Sequence, residues 1–200
     1  MRFSVNGLLH NQFINRWSPR SFRTTPLTNE EILSLFEAAR WSPSGFNEQP
    51  WRFVYASSDE ARAKFTKALN EENAIWAMNA PLLVVVASCK TFSCNQKENP
   101  WHEFDAGAAW MSLALQAHYL GYASHAMGGF DAQKISEICN IDLRKYSIHC
   151  MVAIGEKESV EMLPESLWDR ERPSQRKRLD EIRYKERMLE ERYAEQQVSR

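Results

Sequence analysis

The sequence predicts a single α+β domain in which helices cover a central sheet. Three observations support this prediction. The chain has 200 residues, a common size for one domain. Hydrophobic residues make up 44% of it, which is enough for a sizeable core. Segments with apolar residues at helical spacing alternate with short apolar runs of strand length.

In the first half of the chain, capping residues and prolines define the predicted elements. Thr28 and Glu31 have the spacing of a capping box, in which each side chain accepts a hydrogen bond from the other residue's backbone. The run LLVVVA is typical of a strand that is covered on both faces. The predicted order is a helix from Thr28 that stops at Pro43, a strand from Trp51 to Ala56, an amphipathic helix from Asp59 to about Asn70, and a strand that follows Pro81.

The second half contains the most apolar predicted helix, from Asp105 to Leu120. Its apolar residues cover more than one stripe, so we expect it to be central and buried, with Gly121 ending it. The polar helix at the C-terminus is either a solvated terminal helix or an arm that packs on a partner chain. The remaining elements are a strand from Tyr122 to Met127, a helix capped by Asp131 that runs through Cys139, a strand from His149 to Ile154, and the polar helix at 175–196.

Charge and cysteine usage exclude several classes of protein. Lys and Arg total 25 and Asp and Glu total 26, so the net charge of -1 gives no general attraction to nucleic acid or membranes. The longest apolar run is far shorter than the ~20 residues of a membrane span, and no signal peptide is evident. The four cysteines include no CxxC pair, which favours thiols in a reducing compartment. We expect a cytoplasmic protein with no metal site, because His102, Glu103 and Asp105 suit helix capping better than metal ligation.

Three local segments carry residues that can bind a ligand. RWSPR at 16–20 places two guanidinium groups beside a hydroxyl, and such groups bind phosphate. WSPSGFNEQPW at 41–51 concentrates hydroxyls, amides and two tryptophans between a helix and a strand. MGGF at 127–130 has paired glycines, which let a flat ligand approach the backbone. Each segment also has a structural explanation when taken singly, as an exposed turn, a connecting loop or a tight turn.

In their order, these segments resemble the nitroreductase family of flavin enzymes over nearly the whole chain. The family pattern R-x-S-x-R-x-F occurs at 16–22, and PSxxNxQPW occurs at 43–51. This combination is specific to the family. Further matches are NxxW at 73–76, DxGxA at 105–109, LG at 120–121, GGFD at 128–131, IG at 154–155, and the basic cluster RKR before a leucine at 176–179.

The resemblance implies a mostly antiparallel central sheet flanked by helices, and one FMN per chain that is held tightly but not covalently. It also implies a homodimer in which a terminal arm, about residues 175–200 of the single domain at 1–200, is swapped onto the partner. Gly128 and Gly129 are expected to leave room beside the flavin N5 atom and to present backbone N–H groups to it. The implied cofactor-binding residues are Arg16, Trp17, Ser18, Arg20, Arg176 and Arg178 on the phosphate side, Asn73, Met127, Gly128 and Gly129 on the ring side, and Pro43, Ser44 and Asn47 from across the subunit boundary, where Gln49 either binds the cofactor as well or holds the loop.

The implied activity is that of an FMN-dependent NAD(P)H oxidoreductase. No catalytic side chain is expected, because the cofactor carries the hydride chemistry. A small electrophilic acceptor, such as a nitroaromatic or a quinone, is expected to use the same cavity as the reductant in turn, which gives ping-pong kinetics. The segment 91–104 is expected to form a loop over this cavity, with Trp101, His102 and Phe104 as candidates for stacking on the substrate.

Other functions remain open at this level. The same scaffold could carry a flavin-dependent dehalogenase, a flavin-fragmenting enzyme, or a flavin-binding protein without catalytic activity. A nucleic-acid-binding module could use Arg16, Arg20, Arg23 and the cluster at 170–178. The near-zero net charge and the large apolar core helix argue against that last alternative.

Overall fold

The computed structural model describes residues 7–188 and contains a four-stranded antiparallel sheet. The order of strands across the sheet is β1-β2-β4-β3, so β1 and β3 form its two edges. Register pairs the first residue of β1 with Ser88 and the last residue of β3 with Met151. Trp51 therefore lies near one end of the sheet, whereas β3 ends opposite the middle of β4. The strands are β1 (Trp51–Ala56), β2 (Leu82–Cys89), β3 (Tyr122–Met127) and β4 (Tyr146–Glu156).

Helices cover both faces of this sheet and divide the core into two clusters of buried side chains. On one face, α2 and α5 contribute Leu35 and Leu113. On the other face, α3, α4 and α6 contribute Phe65, Trp76 and Ile135. The helices are α1 (Asn11–Asn15), α2 (Asn29–Arg40), α3 (Asp59–Thr66), α4 (Glu71–Ala77), α5 (His102–Tyr119), α6 (Ala132–Cys139) and α7 (Leu179–Ile182).

The position of β2 inside the sheet explains why its sequence is apolar without alternation. Leu82 and Val84 pack under α2 and α5, whereas Leu83 and Val85 pack toward the opposite helices. Successive side chains of a strand point to opposite faces, and here both faces are covered. The mixed helix and sheet fold, with its antiparallel sheet, confirms the predicted fold class.

Local capping signals also act as predicted. Thr28 Oγ1 accepts a hydrogen bond from Glu31 N at 3.2 Å, and Glu31 Oε2 accepts one from Thr28 N at 2.7 Å. This reciprocal pair satisfies two backbone donors that have no partner inside α2. Gly121 follows the end of α5 with φ +86°, a conformation that glycine adopts without a side-chain clash.

Four predicted boundaries need correction. The helix expected from Asp59 to about Asn70 ends at Thr66, and Asn70 instead caps the separate helix α4 by accepting a hydrogen bond from Asn73 N. Helix α5 begins at His102 rather than at Asp105. Strand β4 extends beyond the expected His149–Ile154 at both ends, because β2 and β3 both pair with it.

The fourth correction concerns the polar C-terminal helix predicted at 175–196. Within residues 175–188 only the short α7 is helical, and most side chains there are exposed. This part of the chain lacks an apolar stripe that could pack on the core, so little stabilises a longer helix. The rest of the predicted helix lies outside the described residues. Across residues 7–188, no helix is long and apolar enough to cross a membrane.

Candidate functional site

The loop between α2 and β1 has a strained backbone. Its centre is a single 3-10 turn over Gly45–Asn47. Phe46, Asn47 and Gln49 have φ angles of 54°, 57° and 54°. Residues with a side chain seldom adopt this left-handed region, and such strain persists only where the surroundings enforce it. Contacts from neighbouring segments must therefore hold this loop in place.

Hydrogen bonds within the loop and from α5 supply that support. Ser44 Oγ accepts the N–H of Gln49 at 3.0 Å, and Gln49 Nε2 donates to Asn47 O at 3.0 Å. Asp105, which is buried in the first turns of α5, accepts the N–H of Gly45 at 3.1 Å. Pro43 and Asn47 remain exposed at the loop surface.

An aromatic cluster covers the outer side of the same loop. The ring of Phe46 lies 6.0 Å from that of Phe92 and 5.8 Å from that of Trp101, while Phe92 and Trp101 are 6.1 Å apart. These are favourable tilted and edge contacts. Phe46 is nevertheless 84% exposed, and Phe104 nearby on α5 is 80% exposed. A Cβ atom on Gly45 would lie 3.2 Å from the Trp101 ring, so the glycine permits this packing.

The glycine turn follows β3 and packs against the start of α4. Gly129 O accepts hydrogen bonds from Asn70 N and from Asn73 Nδ2, both at 3.1 Å. A Cβ atom on Gly129 would lie 2.4 Å from Asn70 Nδ2, whereas a Cβ on Gly128 would meet nothing within 4 Å. The room expected beside both glycines is therefore present at Gly128, whereas Asn70 fills the side-chain direction at Gly129. Within residues 7–188, the backbone N–H groups of both glycines donate no hydrogen bond.

The arginine-containing segment 16–20 contacts β3 at His125, three residues before this turn. His125 on β3 donates its Nδ1 hydrogen to Pro19 O at 2.9 Å, and its ring lies 4.7 Å from that of Trp76 on α4. The Glu171 carboxylate accepts the N–H of Arg20 at 2.9 and 3.0 Å. Burial lowers the pKa of His125 to about 4, against the opposing effect of its hydrogen bond to Pro19. His125 is therefore neutral near pH 7 and acts as a fixed donor to the segment.

The structure thus separates the predicted site residues into two groups. The first group lies at the β3 edge, toward the face that carries α4, and contains 16–20, Asn73 and the glycine turn. The second group is the loop at 43–49, which lies at the β1 edge and is held by α5 on the opposite face. Three strand spacings separate the edges, roughly 14 Å. One chain does not bring the two groups together.

The remaining predicted residues have contacts of their own. Met127 is 2% exposed, so only its backbone is available to a ligand. Trp17 packs its ring against the Lys157 ammonium, 5.3 Å away. Arg176 Nη1 donates to Ser174 Oγ at 2.9 Å, and Arg178 pairs with Asp180 at 3.0 Å. The two C-terminal arginines are exposed, and the contacts seen for them lie within their own segment.

His102 faces inward rather than toward the aromatic cluster. Its Nδ1 lies 2.7 Å from Ser88 Oγ, and the same oxygen lies 2.6 Å from His149 Nε2. Ser88 is fully buried, and burial lowers the pKa of His149. The histidine that was a candidate for substrate stacking is thus part of a buried polar network, and Trp101 and Phe104 remain as candidates.

Sequence reasoning missed several residues of this site. Phe46 and Phe92 join the aromatic cluster, Asp105 anchors the loop, and Asn70 supports the glycine turn. Phe46 lies inside the family pattern PSxxNxQPW, which pointed to its loop, but the pattern accepts any residue at that position. The Asp105 contact joins residues that are 60 positions apart, and no local pattern predicts it.

The chain belongs to the nitroreductase family. A profile of that family matches residues 14–76 and 70–156. A Xanthomonas oryzae pv. oryzae (strain PXO99A) protein named "Putative NADH dehydrogenase/NAD(P)H nitroreductase" is 31% identical over 154 residues, or 68% of this chain and 79% of that protein. The family, the relatives and the fold together define an oxidoreductase.

Solved structures agree with this assignment. The crystal structure of an FMN-containing oxidoreductase has a TM-score of 0.89 at 40% identity and covers 94% of this chain and 96% of that chain. An FMN-dependent nitroreductase of Clostridium difficile R20291 has a TM-score of 0.63 at 23% identity and covers 72% of this chain and 85% of that one, a likeness that shows the fold alone.

Proposed function

We propose that this chain binds FMN, accepts hydride from NAD(P)H and passes it to a small electrophilic acceptor. The observation that carries the proposal is the arrangement at the β3 edge. A segment with Arg16 and Arg20 contacts β3 at His125, and β3 leads within three residues into a turn whose backbone N–H groups are unused within residues 7–188. The FMN of the 40% identical structure and the NAD(P)H in the name of the Xanthomonas relative support it.

The donors at this edge fit the chemistry of FMN. Guanidinium groups bind phosphate through charge-assisted hydrogen bonds, which suits Arg16 and Arg20. The Ser18 hydroxyl suits a ribityl oxygen. The open side of Gly128 lets a flat ring approach the backbone. When bound, FMN supplies the hydride chemistry at its N5 atom. The turn's N–H groups would stabilise negative charge at the ring, because they are fixed in place before reaction.

We further propose that each site is completed by a second copy of the chain. Pro43, Ser44 and Asn47 belong to the cofactor contacts implied by the family resemblance, yet their loop lies at the opposite edge and face from the arginine segment. A partner chain can present its own loop to that segment. Trp41 and Tyr119 are 74% and 78% exposed on α2 and at the end of α5, which provides apolar surface for such an interface.

The aromatic cluster supports planar, apolar acceptors such as nitroaromatics or quinones. Phe46 lies on the loop that each partner would contribute, and Trp101 and Phe104 lie at the start of α5, which holds that loop; all three present exposed rings. Offset or edge contacts between rings favour such substrates. Because reductant and acceptor would react at the same face of one flavin, they would bind in turn, and ping-pong kinetics follow.

The purified protein tests the proposal through its flavin content. We expect one FMN per chain, bleaching of the flavin by NADH or NADPH under anaerobic conditions, and recovery of colour on adding a quinone. Light scattering should give twice the 23.3 kDa chain mass. A colourless protein, or a yellow one that neither nicotinamide bleaches, would contradict the proposed activity.

Paired arginine variants test where the phosphate binds. Arg16→Ala should weaken FMN retention by about 10–100-fold, since a charge-assisted hydrogen bond contributes about 1.5–3 kcal/mol. Arg144→Ala is the control, because Arg144 is exposed and pairs with Asp142 in the loop that follows α6. Flavin fluorescence after gel filtration measures both. Equal retention by the two variants would show that Arg16 is not a phosphate ligand.

A further inference from the structure

A pocket of about 470 Å³ opens beside the glycine turn. Its wall is formed where residues 68–70 pair with the turn: Asn70 N donates to Gly129 O, and Asp131 N donates to Ala68 O at 2.7 Å. The pocket therefore shares the Gly128 backbone with the proposed cofactor site. It lies between the end of α3 and the start of α6.

Two lysines give this pocket a positive lining. Lys67 follows the last residue of α3, and Lys134 lies in the first turn of α6. Both side chains are exposed, and neither forms an ion pair within residues 7–188. The one carboxylate that lines the pocket, Asp131, caps α6 by accepting the N–H of Lys134 at 2.9 Å. The lining therefore carries a formal net charge of one positive unit.

Nearby lysines and arginines show that this pattern is local. On the same helix α3, Lys64 pairs with Glu60 at 2.7 Å, and Arg62 pairs with Asp59. Both cations are therefore paired with carboxylates of the same helix. Lys67 is the next cation along the chain, and it lines the pocket instead of pairing.

We propose that this pocket is a phosphate subsite for the nicotinamide dinucleotide, and that Lys67 and Lys134 bind a phosphate group while the nicotinamide lies at the Gly128 side of the turn. The proposal rests on the proposed function, since it needs NAD(P)H as reductant. Lysine ammonium groups bind phosphate as compact point charges with rotatable donors. The phosphate is either the 2′-phosphate of NADPH or the pyrophosphate that both dinucleotides share.

The test compares Lys67→Gln, Lys134→Gln and the double variant with Lys64→Gln as the matched control. Rapid-mixing measurements give the dissociation constants of NADPH and NADH in the reductive half-reaction. Calorimetry with 2′,5′-ADP and with 5′-ADP measures binding independently of turnover. We expect each pocket variant to weaken binding about threefold and the double variant about tenfold, which is the usual size for exposed charge pairs. Lys64→Gln should change neither the dissociation constants of the dinucleotides nor the binding of the two nucleotides.

The outcomes separate the two phosphate sources. Loss confined to NADPH and 2′,5′-ADP supports the subsite and assigns it to the 2′-phosphate. Equal loss for both dinucleotides, with a larger loss for 5′-ADP than for 2′,5′-ADP, which has no pyrophosphate, supports it and assigns it to the pyrophosphate. Losses of dinucleotide and nucleotide affinity no larger than those of Lys64→Gln overturn the proposal. If dithionite but neither dinucleotide bleaches the flavin, the proposed reductant is wrong, and this result is distinct from failure of the subsite alone.

Discussion

Substituting Gly129 with alanine should destabilise the protein far more than substituting its neighbour Gly128. The added methyl group at 129 would lie 2.4 Å from Asn70 Nδ2 and 2.9 Å from Asn73 Nδ2, closer than carbon and nitrogen can approach. At 128 it would meet nothing within 4 Å. The two changes are the same in chemistry and adjacent in sequence, so the difference between them reports this contact alone.

The magnitude follows from what the Asn70 side chain does. Forcing a methyl group into a packed site costs about 1–3 kcal/mol. Asn70 is the N-cap of α4, where its side chain accepts a hydrogen bond from Asn73 N. Displacing Asn70 also removes this bond, at a further cost of about 1 kcal/mol. The free energy of unfolding should therefore fall by about 2–4 kcal/mol. For a chain of this size, that corresponds to a melting temperature lower by roughly 6–12 °C.

Thermal unfolding, followed by circular dichroism in saturating FMN, measures this difference. Gly128→Ala should melt within about 2 °C of the wild type. Flavin content is measured in parallel, because both glycines border the proposed cofactor. Similar melting temperatures for the two variants would refute the close packing of Gly129 on Asn70. A large drop for Gly128→Ala alone would reverse the assignment of the open side.

Three further predictions concern other parts of the chain. Thr28→Ala removes the capping box and should lower the melting temperature by about 2–4 °C with unchanged flavin content. Asp105→Ala leaves Gly45 N–H without its acceptor, at a cost of about 1–2 kcal/mol, and flavin fluorescence titration should show FMN binding weakened roughly 5–30-fold. Folding lowers the pKa of His125 to about 4, so its contribution is complete above pH 6.5 and is lost as pH falls from 6.5 toward 4. Urea unfolding across that window should show a loss of up to about 3 kcal/mol, which His125→Asn should reduce.

The elements that could be predicted from sequence are those with local signals. The capping box at Thr28, the proline-bounded loop, the glycine after α5 and the apolar run of β2 each act through residues close in the chain. Helix α4 was missed because it has only seven residues, and its N-cap Asn70 was assigned to the preceding helix. The C-terminal helix was over-extended because polar composition favours helix without supplying a face to pack.

The candidate site was predictable as a set of residues but not as an arrangement. Family patterns indicated the loop, the arginine segment and the turn, and their roles as cofactor ligands remain predictions. Which glycine is open depends on where Asn70 lies, and the direction of His102 on α5 depends on Ser88, a residue of strand β2. The left-handed conformation of Phe46 is supported by its ring contact with Trp101 and by the hydrogen bond from the neighbouring Gly45 N–H to Asp105, rather than by its own preference.

The separation of the loop and the arginine segment to opposite edges of the sheet has a genetic consequence. On the proposed dimer, each chain gives its loop to one site and its arginine segment to the other. A chain disabled at Asn47 and a chain disabled at Arg16 would each fail as homodimers. Co-expressed, they would assemble one site from two intact halves and one from two damaged halves. Two alleles that are inactive alone would then complement each other, and a mixed dimer would recover about half the turnover of the normal enzyme.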